Sequence, residues 1–261
     1  MFDIFGETLV LLAFAAFFAG FIDAIAGGGG LVTIPALLLA GFSPIESLGT
    51  NKLQGLFGSG SSVIAYAAKG HVDLKAQLPW ALLSFLASIG GAALATILPG
   101  AVLETILPLL LIGIAVYFAL KPDMDDLDRI RRISPALFGF TVVPLIGFYD
   151  GAFGPGTGSF FMIAFVAFAG FGVLKATAHT KLLNFSSNVG GFLAFALAGA
   201  VVWKAGLVMG AAQFAGARLG ASLAMKNGAK LIKPLLVITC IALAIKLLTE
   251  DGNPIAAYIG L

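Results

Sequence analysis

Two aspartates and two lysines of this sequence stand where only hydrocarbon side chains would be expected. Asp23 lies in FIDAIAGGGG and Asp150 in FYDGAFGPGTG, each a few residues before a glycine-rich interruption of an apolar run. A carboxylate in such surroundings is expensive and needs a use. Two uses fit: it can carry a proton for coupling, or it can accept hydrogen bonds from nearby loop amides and hold the chain open there. Lys52 and Lys181 stand a turn or more inside later apolar segments, among Asn51, Gln54, His179, Thr180, Asn184, Ser187 and Asn188. These side chains can form the polar wall of a cavity, with the lysines adding positive potential for an anion. The competing reading has each lysine snorkelling to the membrane interface.

The interruptions themselves, Gly27 to Gly30 and Gly154 to Gly158, carry almost no side chains. Unwound backbone inside a bilayer is tolerated only where protein buries it or a watery cavity hydrates it. Each interruption precedes a short helix, whose first N–H groups and positive dipole end would face that cavity. Glycine lets a ligand approach the backbone, and the ligand such a terminus prefers is an anion. Gly27, Gly28, Gly29, Gly30, Gly154, Gly156, Thr157 and Gly158 are therefore the expected backbone donors, with Asn51, Lys52, Thr180, Lys181 and Asn188 as side-chain contacts. Close packing of small residues between helices is the plainer alternative.

The elements that must position these groups follow from composition. The chain has 261 residues, 59% of them hydrophobic and 11% charged, with a mean hydropathy of +1.04. So few charges cannot cover a soluble domain, and the apolar runs are continuous rather than alternating, so an all-α polytopic membrane protein is expected and a β-barrel is not. The N-terminal run follows Asp3 and Glu7 rather than basic residues, which reads as a retained segment and not a leader. Glycine, proline and charge divide the chain into ten segments near 6–26, 31–42, 46–68, 76–98, 103–120, 134–152, 159–171, 174–198, 205–225 and 229–248. The second and seventh are short. At 1.5 Å per residue they give about 18 to 20 Å of helix, against a hydrocarbon core of about 30 Å.

The chain also repeats itself. FIDAIAGGGGLVTIPALL answers FYDGAFGPGTGSFFMIAF, with Asp23 facing Asp150 at 150 − 23 = 127. TNKLQGLFGSGSS answers HTKLLNFSSNVGG, GHVDLKA answers GAVVWKA, and LETILPLLLIG answers AKLIKPLLVIT with Pro108 facing Pro234 at 234 − 108 = 126. Two repeats of about five segments, 1–120 and 134–261, are thus joined by the charged stretch 121–133. The first two segments of each repeat would make a helix of about 54 Å if continuous, so they are expected to fold back as a hairpin, complete or re-entrant. Each repeat then changes direction an odd number of times, which inverts one against the other. That arrangement gathers Lys69, Lys75, Lys121, Arg129, Arg131, Arg132, Lys175, Lys226, Lys230 and Lys233 on one face and leaves chiefly Lys204 on the opposite one. The basic face is expected to be cytoplasmic, with both termini outside.

Other chemistries find little support. A net charge of +2 and the single Cys240 point to no nucleic-acid partner and no cysteine-bound metal. No phosphate loop, HExxH or nucleophile elbow is present, so neither an enzyme nor a cofactor is expected. The energy source must be a proton, sodium or substrate gradient, or a separate subunit. His71 reads as a solvated loop residue, and Arg218, in GARLGASL, as a structural pairing residue.

The motifs AGGGGLVTIPALLLAG and GFYDGAFGPGTGSFF, followed by GTNKL, HTKLLNFSSN and GHVD, resemble the TauE/SafE, or sulfite exporter, family over nearly the whole chain. The resemblance implies a multi-pass inner-membrane protein exporting sulfite, sulfoacetate or a related sulfur-containing anion as a secondary transporter. GGGG in the first repeat replaces a GPG-like pattern, so the two half-sites are not equivalent. An anion channel, a carrier of another small anion, a membrane scaffold protein and a homo-oligomeric state all stay open at this level.

Overall fold

A helix needs its first amides satisfied, and the sequence supplies partners at most of the helix starts. In the computed structural model, which describes residues 6–103 and 127–228, eight helical rods follow one another. The first half holds α1 (Gly6–Ala26), α2 (Gly29–Leu39), α3 (Pro44–Ala68) and α4 (Leu74–Ile97). The second holds α5 (Pro135–Ala152), α6 (Thr157–Ala169), α7 (Val173–Leu197) and α8 (Trp203–Asn227). Ser43 and Glu46 form a capping box ahead of Pro44, Asp73 caps α4, and Ser134 caps α5. Of the expected segment at 103–120 only Leu103 is described, as part of a helical turn; the segment at 229–248, the Pro108 and Pro234 pair and linker residues 121–126 lie outside the described residues.

The two short helices fold back along their predecessors. Leu37 of α2 shares an apolar cluster with Leu12 and Ala16 of α1, and the ring of Phe165 of α6 lies 4.8 Å, tilted, from that of Phe138 of α5. In both cases a residue about eleven positions past the turn reaches one about fourteen before it. Each pair is therefore a hairpin. α5 and α6 each carry a π turn, Phe138–Val142 and Phe165–Ala169, and these turns meet at that aromatic contact. The helical boundaries also correct one expectation. Gly29 and Gly30 already belong to the first turn of α2, and Thr157 and Gly158 to that of α6, so the unwound backbone is shorter than the glycine runs.

Contact registers fix the directions of the long helices. Gly147 of α5 meets Ser84 of α4 and Gly151 meets Ser88, so these two helices run the same way. Ser84 and Ser88 also donate to the carbonyls of Leu183 and Ser187 at 3.0 and 2.6 Å, which aligns α7 with them. In a second group Gly216 and Gly220 of α8 meet Phe17 and Phe21 of α1, and Gly206 and Gly210 meet Leu53 and Phe57 of α3. These three are likewise parallel. Between the groups the register reverses: Gly49 lies against Phe195, Gly55 against Asn188 and Gly60 against Phe185, so α3 and α7 are antiparallel. Glycine and serine at these contacts let backbones approach, the usual membrane solution where no hydrophobic force joins helices.

Three rods, α1, α4 and α5, have the length and apolarity of membrane spans. α3 and α7 are as long but bury Asn51, Lys52, Gln54, Thr180, Lys181, Asn184 and Asn188. The antiparallel directions bring Lys69, Lys75, Lys175 and Lys226 to one face and Lys204 to the other.

The described end of the charged linker is docked. Arg129 and Arg132 donate backbone N–H bonds to the carbonyls of Gly170 and Phe168 at 2.6 and 2.9 Å. Asp128 accepts from the Gly172 amide at 2.7 Å and from Lys175 at 2.6 Å, supplying to the start of α7 the anion that Gly172 cannot. The Lys175 hydrogen bond, then the Gly172 amide, hold the Asp128 carboxyl below its ordinary 3.8. A lowered carboxyl stabilises the folded form above its unfolded pKa, and that contribution is lost as pH falls through the lowered value. Docking should therefore persist through neutral and mildly acid pH. Asp128→Ala should expose Arg129, Arg131 and Arg132 to trypsin at pH 7 while changing unfolding stability by no more than about 1 kcal/mol, since the pair is solvent-exposed; unchanged digestion would count against the docking.

Candidate functional site

The hairpin tips meet in the middle of the molecule. Ser159 at the start of α6 donates its amide to the Gly27 carbonyl at 3.0 Å and its hydroxyl to the Ala26 carbonyl at 2.6 Å. A methyl group on Gly27 would run into the backbone of Gly158 and Ser159, and one on Gly158 would lie 2.7 Å from the Gly27 Cα. Gly27 also sits at φ +84 and Gly156 at φ 76, where side chains are strained. Backbone touching backbone explains why these positions lack side chains.

Two ion pairs cross between the halves at this junction. Lys52 of α3 lies 2.7 Å from Asp150 Oδ1 of α5, both side chains almost fully buried. Lys181 of α7 lies 3.8 Å from Asp23 Oδ2 of α1 and donates to the Asp23 backbone carbonyl. Neither lysine snorkels. The expected positive wall is thus charge-balanced, because each ammonium already faces a carboxylate.

The carboxylates are not used alike. Asp23 Oδ1 also accepts the Gly29 amide at 3.2 Å, so it caps α2 from six residues upstream. This is the loop-holding use anticipated for it. Asp150 accepts no comparable amide among the described residues, and its Oδ2 is buried without a partner. In the second half the neighbouring Tyr149 braces the turn instead, donating to the Pro155 carbonyl at 2.7 Å, while Thr157 donates to the Gly154 carbonyl at 2.8 Å.

A polar cavity of about 30 Å³ lies between the tips, room for about two waters. Of the anticipated residues, Gly27, Gly29, Gly30, Asn51, Gly154, Gly156, Thr157, Gly158 and Asn188 line it, together with Asp23 and Asp150. Gly28, Lys52, Thr180 and Lys181 do not; the two lysines stand behind the carboxylates. Gly55, Asn184 and Gln213 complete the wall. Nothing in the sequence marks Gln213, which falls within a small-residue packing stretch and has no polar neighbour in the chain.

Donor supply is narrower than the glycine runs suggested. The Gly29 amide is taken by Asp23 and the Ser159 amide by Gly27. The amides of Gly30 and Gly158 take no partner among the described residues. Asn51 adds a third donor group: its oxygen accepts from Thr33 at 2.6 Å and Gln54 at 2.8 Å. Its amide nitrogen lies 3.6 Å from where a Cβ of either Gly30 or Gly154 would stand, so it faces both breaks.

His179 is elsewhere, against Phe165 and Phe171 beside a second cavity of about 110 Å³ that Trp80, Arg131 and Phe138 also line. Arg218, for which a structural pairing was the expectation, is exposed and has no ion pair among the described residues. No cluster with metal-ligand composition occurs among the described residues.

A polar cavity between two hairpin tips, framed by apolar rods, is an arrangement that membrane transporters use. The family model described as Sulfite exporter TauE/SafE matches residues 12–247, and the chain belongs to that family. A Sinorhizobium sp protein named probable membrane transporter protein ORF9 is 62% identical over 258 residues, covering 99% of each chain. YfcA of Escherichia coli K12, a probable membrane transporter protein, is 46% identical over 254 residues, covering 97% of this chain and 94% of its own. YunE of Bacillus subtilis 168, named likewise, is 25% identical over 268 residues, covering 93% and 98%. No solved structure matches the chain.

The tip contact is open to test by paired substitutions. Gly41 also has positive φ, +87, but open space around its missing Cβ. Gly41→Ala should cost about 1 to 2 kcal/mol from backbone strain alone. Gly27→Ala should add about 1 to 3 kcal/mol of overpacking to the same strain. Thermal unfolding in detergent reads the difference, and equal losses would mean that the tips do not touch.

Proposed function

We propose that the chain is a secondary transporter of the cell inner membrane, exporting a small sulfur-containing anion such as sulfite, sulfoacetate or a related organosulfonate by alternating access. The observation that carries this reading is the tip-to-tip meeting of two folded-back hairpins around a polar cavity. Broken helices at matching places in two halves are the form that transporter sites take near the bilayer midplane. The antiparallel α3 and α7 support two inverted repeats, 1–120 and 134–261, rocking about that site. The Gly30 and Gly158 amides and the Asn51 side chain are the first donors for an oxyanion, with Lys52 and Lys181 supplying charge from behind. Gly27, Gly28, Gly29, Gly154, Gly156, Thr157, Thr180 and Asn188 shape the site. A cavity for about two waters is smaller than a sulfonate, so the substrate is admitted when the tips part. The basic face is cytoplasmic and the termini lie outside, by the distribution of lysine and arginine.

Sulfite and sulfoacetate flux in proteoliposomes tests the proposal, with Gly156→Leu as the comparison. Gly156 is the left-handed residue that turns the chain into α6, so a leucine there should reduce flux to that of protein-free vesicles. Flux equal to wild type would remove this break from the mechanism.

A further inference from the structure

The two cross-half pairs look equivalent in sequence and are not equivalent in space. Asp23 has one oxygen hydrogen-bonded by the Gly29 amide and the other 3.8 Å from the Lys181 ammonium, which also donates to the Asp23 carbonyl. Asp150 has only Lys52, at one oxygen; its other oxygen is buried, unpartnered and part of a cavity-lining residue. A buried lysine must keep one negative partner, because an uncompensated ammonium in the membrane interior is strongly unfavourable. Lys52 has two candidates for that role, Asp150 and an anion in the cavity beside it. Its ammonium lies 3.1 Å from where a Cβ of Gly154 would stand, at the cavity wall.

Resting on the transport reading above, we propose that Asp150 is the proton site of the carrier, so that one proton and one negative charge cross together. A hydronium ion gives its proton to Asp150 Oδ2 and leaves as water, the carboxylate becomes a neutral acid, and Lys52 passes from Asp150 to the bound anion. No electron moves. The charge around Lys52 is the same in the empty and loaded forms, which is what lets both forms cross between states. Proton and anion favour each other's binding, so they travel in the same direction, and movement of a singly charged anion is electroneutral. The groups that face Asp150 agree with this assignment. Lys52 comes from α3, Asp23 of α1 and Lys181 of α7 lie across the cavity as a closed pair, and Tyr149 beside it is committed to Pro155. Ser88 of α4, against Gly151, and Thr157 of α6, in the cavity wall, are not titratable. Asp23 is then the structural carboxylate, holding the start of α2.

Sulfite efflux from wild-type proteoliposomes, at a pH where the singly charged form dominates, should acidify the outside by about one proton per anion and ignore a potassium–valinomycin potential. Asp150→Asn should lower net efflux about a hundredfold, because the empty carrier would have to cross with Lys52 uncompensated. Sulfite–sulfite exchange should fall far less and lose its pH dependence. Asp23→Asn should not separate the two activities. Efflux without proton movement, or net efflux and exchange falling together in Asp150→Asn, would overturn the proposal. Should wild-type protein move no sulfite, the transport reading for that anion fails, and infrared titration still judges the proton site. A carboxylic-acid carbonyl band should grow as pH falls, be missing in Asp150→Asn and remain in Asp23→Asn; a band unchanged in Asp150→Asn would refute it.

Discussion

Backbone amides in hydrocarbon must find partners, and in this protein the two breaks find them in each other. Ser159 of the second hairpin donates twice to the carbonyls that end α1, groups that no water inside a bilayer could satisfy. That contact requires Gly27 and Gly158 to have no side chain, places both short helices with their N-termini inward, and leaves between them a space walled by amides and carboxylates. Each tip meets in the other the backbone partners that hydrocarbon does not supply.

The long helices are arranged so that this junction is held from both sides. α1 packs on α8 and α5 on α4, so the first rod of each half leans on the fourth rod of the other, while α3 and α7 cross the middle in opposite directions. The ridges that make such approaches possible are not large apolar side chains. They are glycines whose Cβ would strike a carbonyl, such as Gly216 against Phe17, Gly91 against Phe148 and Gly151 against Ser88. Serine hydroxyls then close the remaining backbone gaps between α4 and α7. Because this packing depends on shape rather than on apolar force, a rod can slide on its neighbour without exposing a core to water.

Much of this was legible in the residues. The apolar runs gave eight of the described rods to within two or three residues, and the repeated Asp and glycine motifs marked the hairpins and most of the cavity wall. α2 and α6 start earlier than their glycines suggest, because at a helix's first turn the amides are unpaired anyway and glycine costs little there. The ion pairs were not legible. Periodicity relates Lys52 to Lys181 and Asp23 to Asp150, but contact runs diagonally, Lys52 to Asp150 and Lys181 to Asp23, and a repeat offset says which residues correspond, not which ones touch. Gln213 and Gly55 were hidden for a related reason: they enter the wall through packing of α8 and α3, and nothing local in their segments marks a polar site.

The diagonal pairs bear most directly on what the junction is for. Burying an ammonium and a carboxylate costs several kcal/mol per ion before their attraction returns any of it, and well-packed apolar replacements are often as stable or more so. Stability of the resting fold therefore gives no reason for two such pairs, least of all in a membrane, where leucine would serve. Each pair also joins opposite halves across the place where the hairpins touch, so any movement that separates the tips must either stretch a pair or supply it with a substitute charge. Lys181 has little room to exchange, because the Asp23 backbone and side chain both face it. Lys52 meets a carboxylate with an oxygen to spare, beside unpaired amides and the Asn51 side chain. The half-sites share a fold and differ in this one degree of commitment: Asp23 also holds the start of α2, whereas Asp150 keeps one oxygen without a partner.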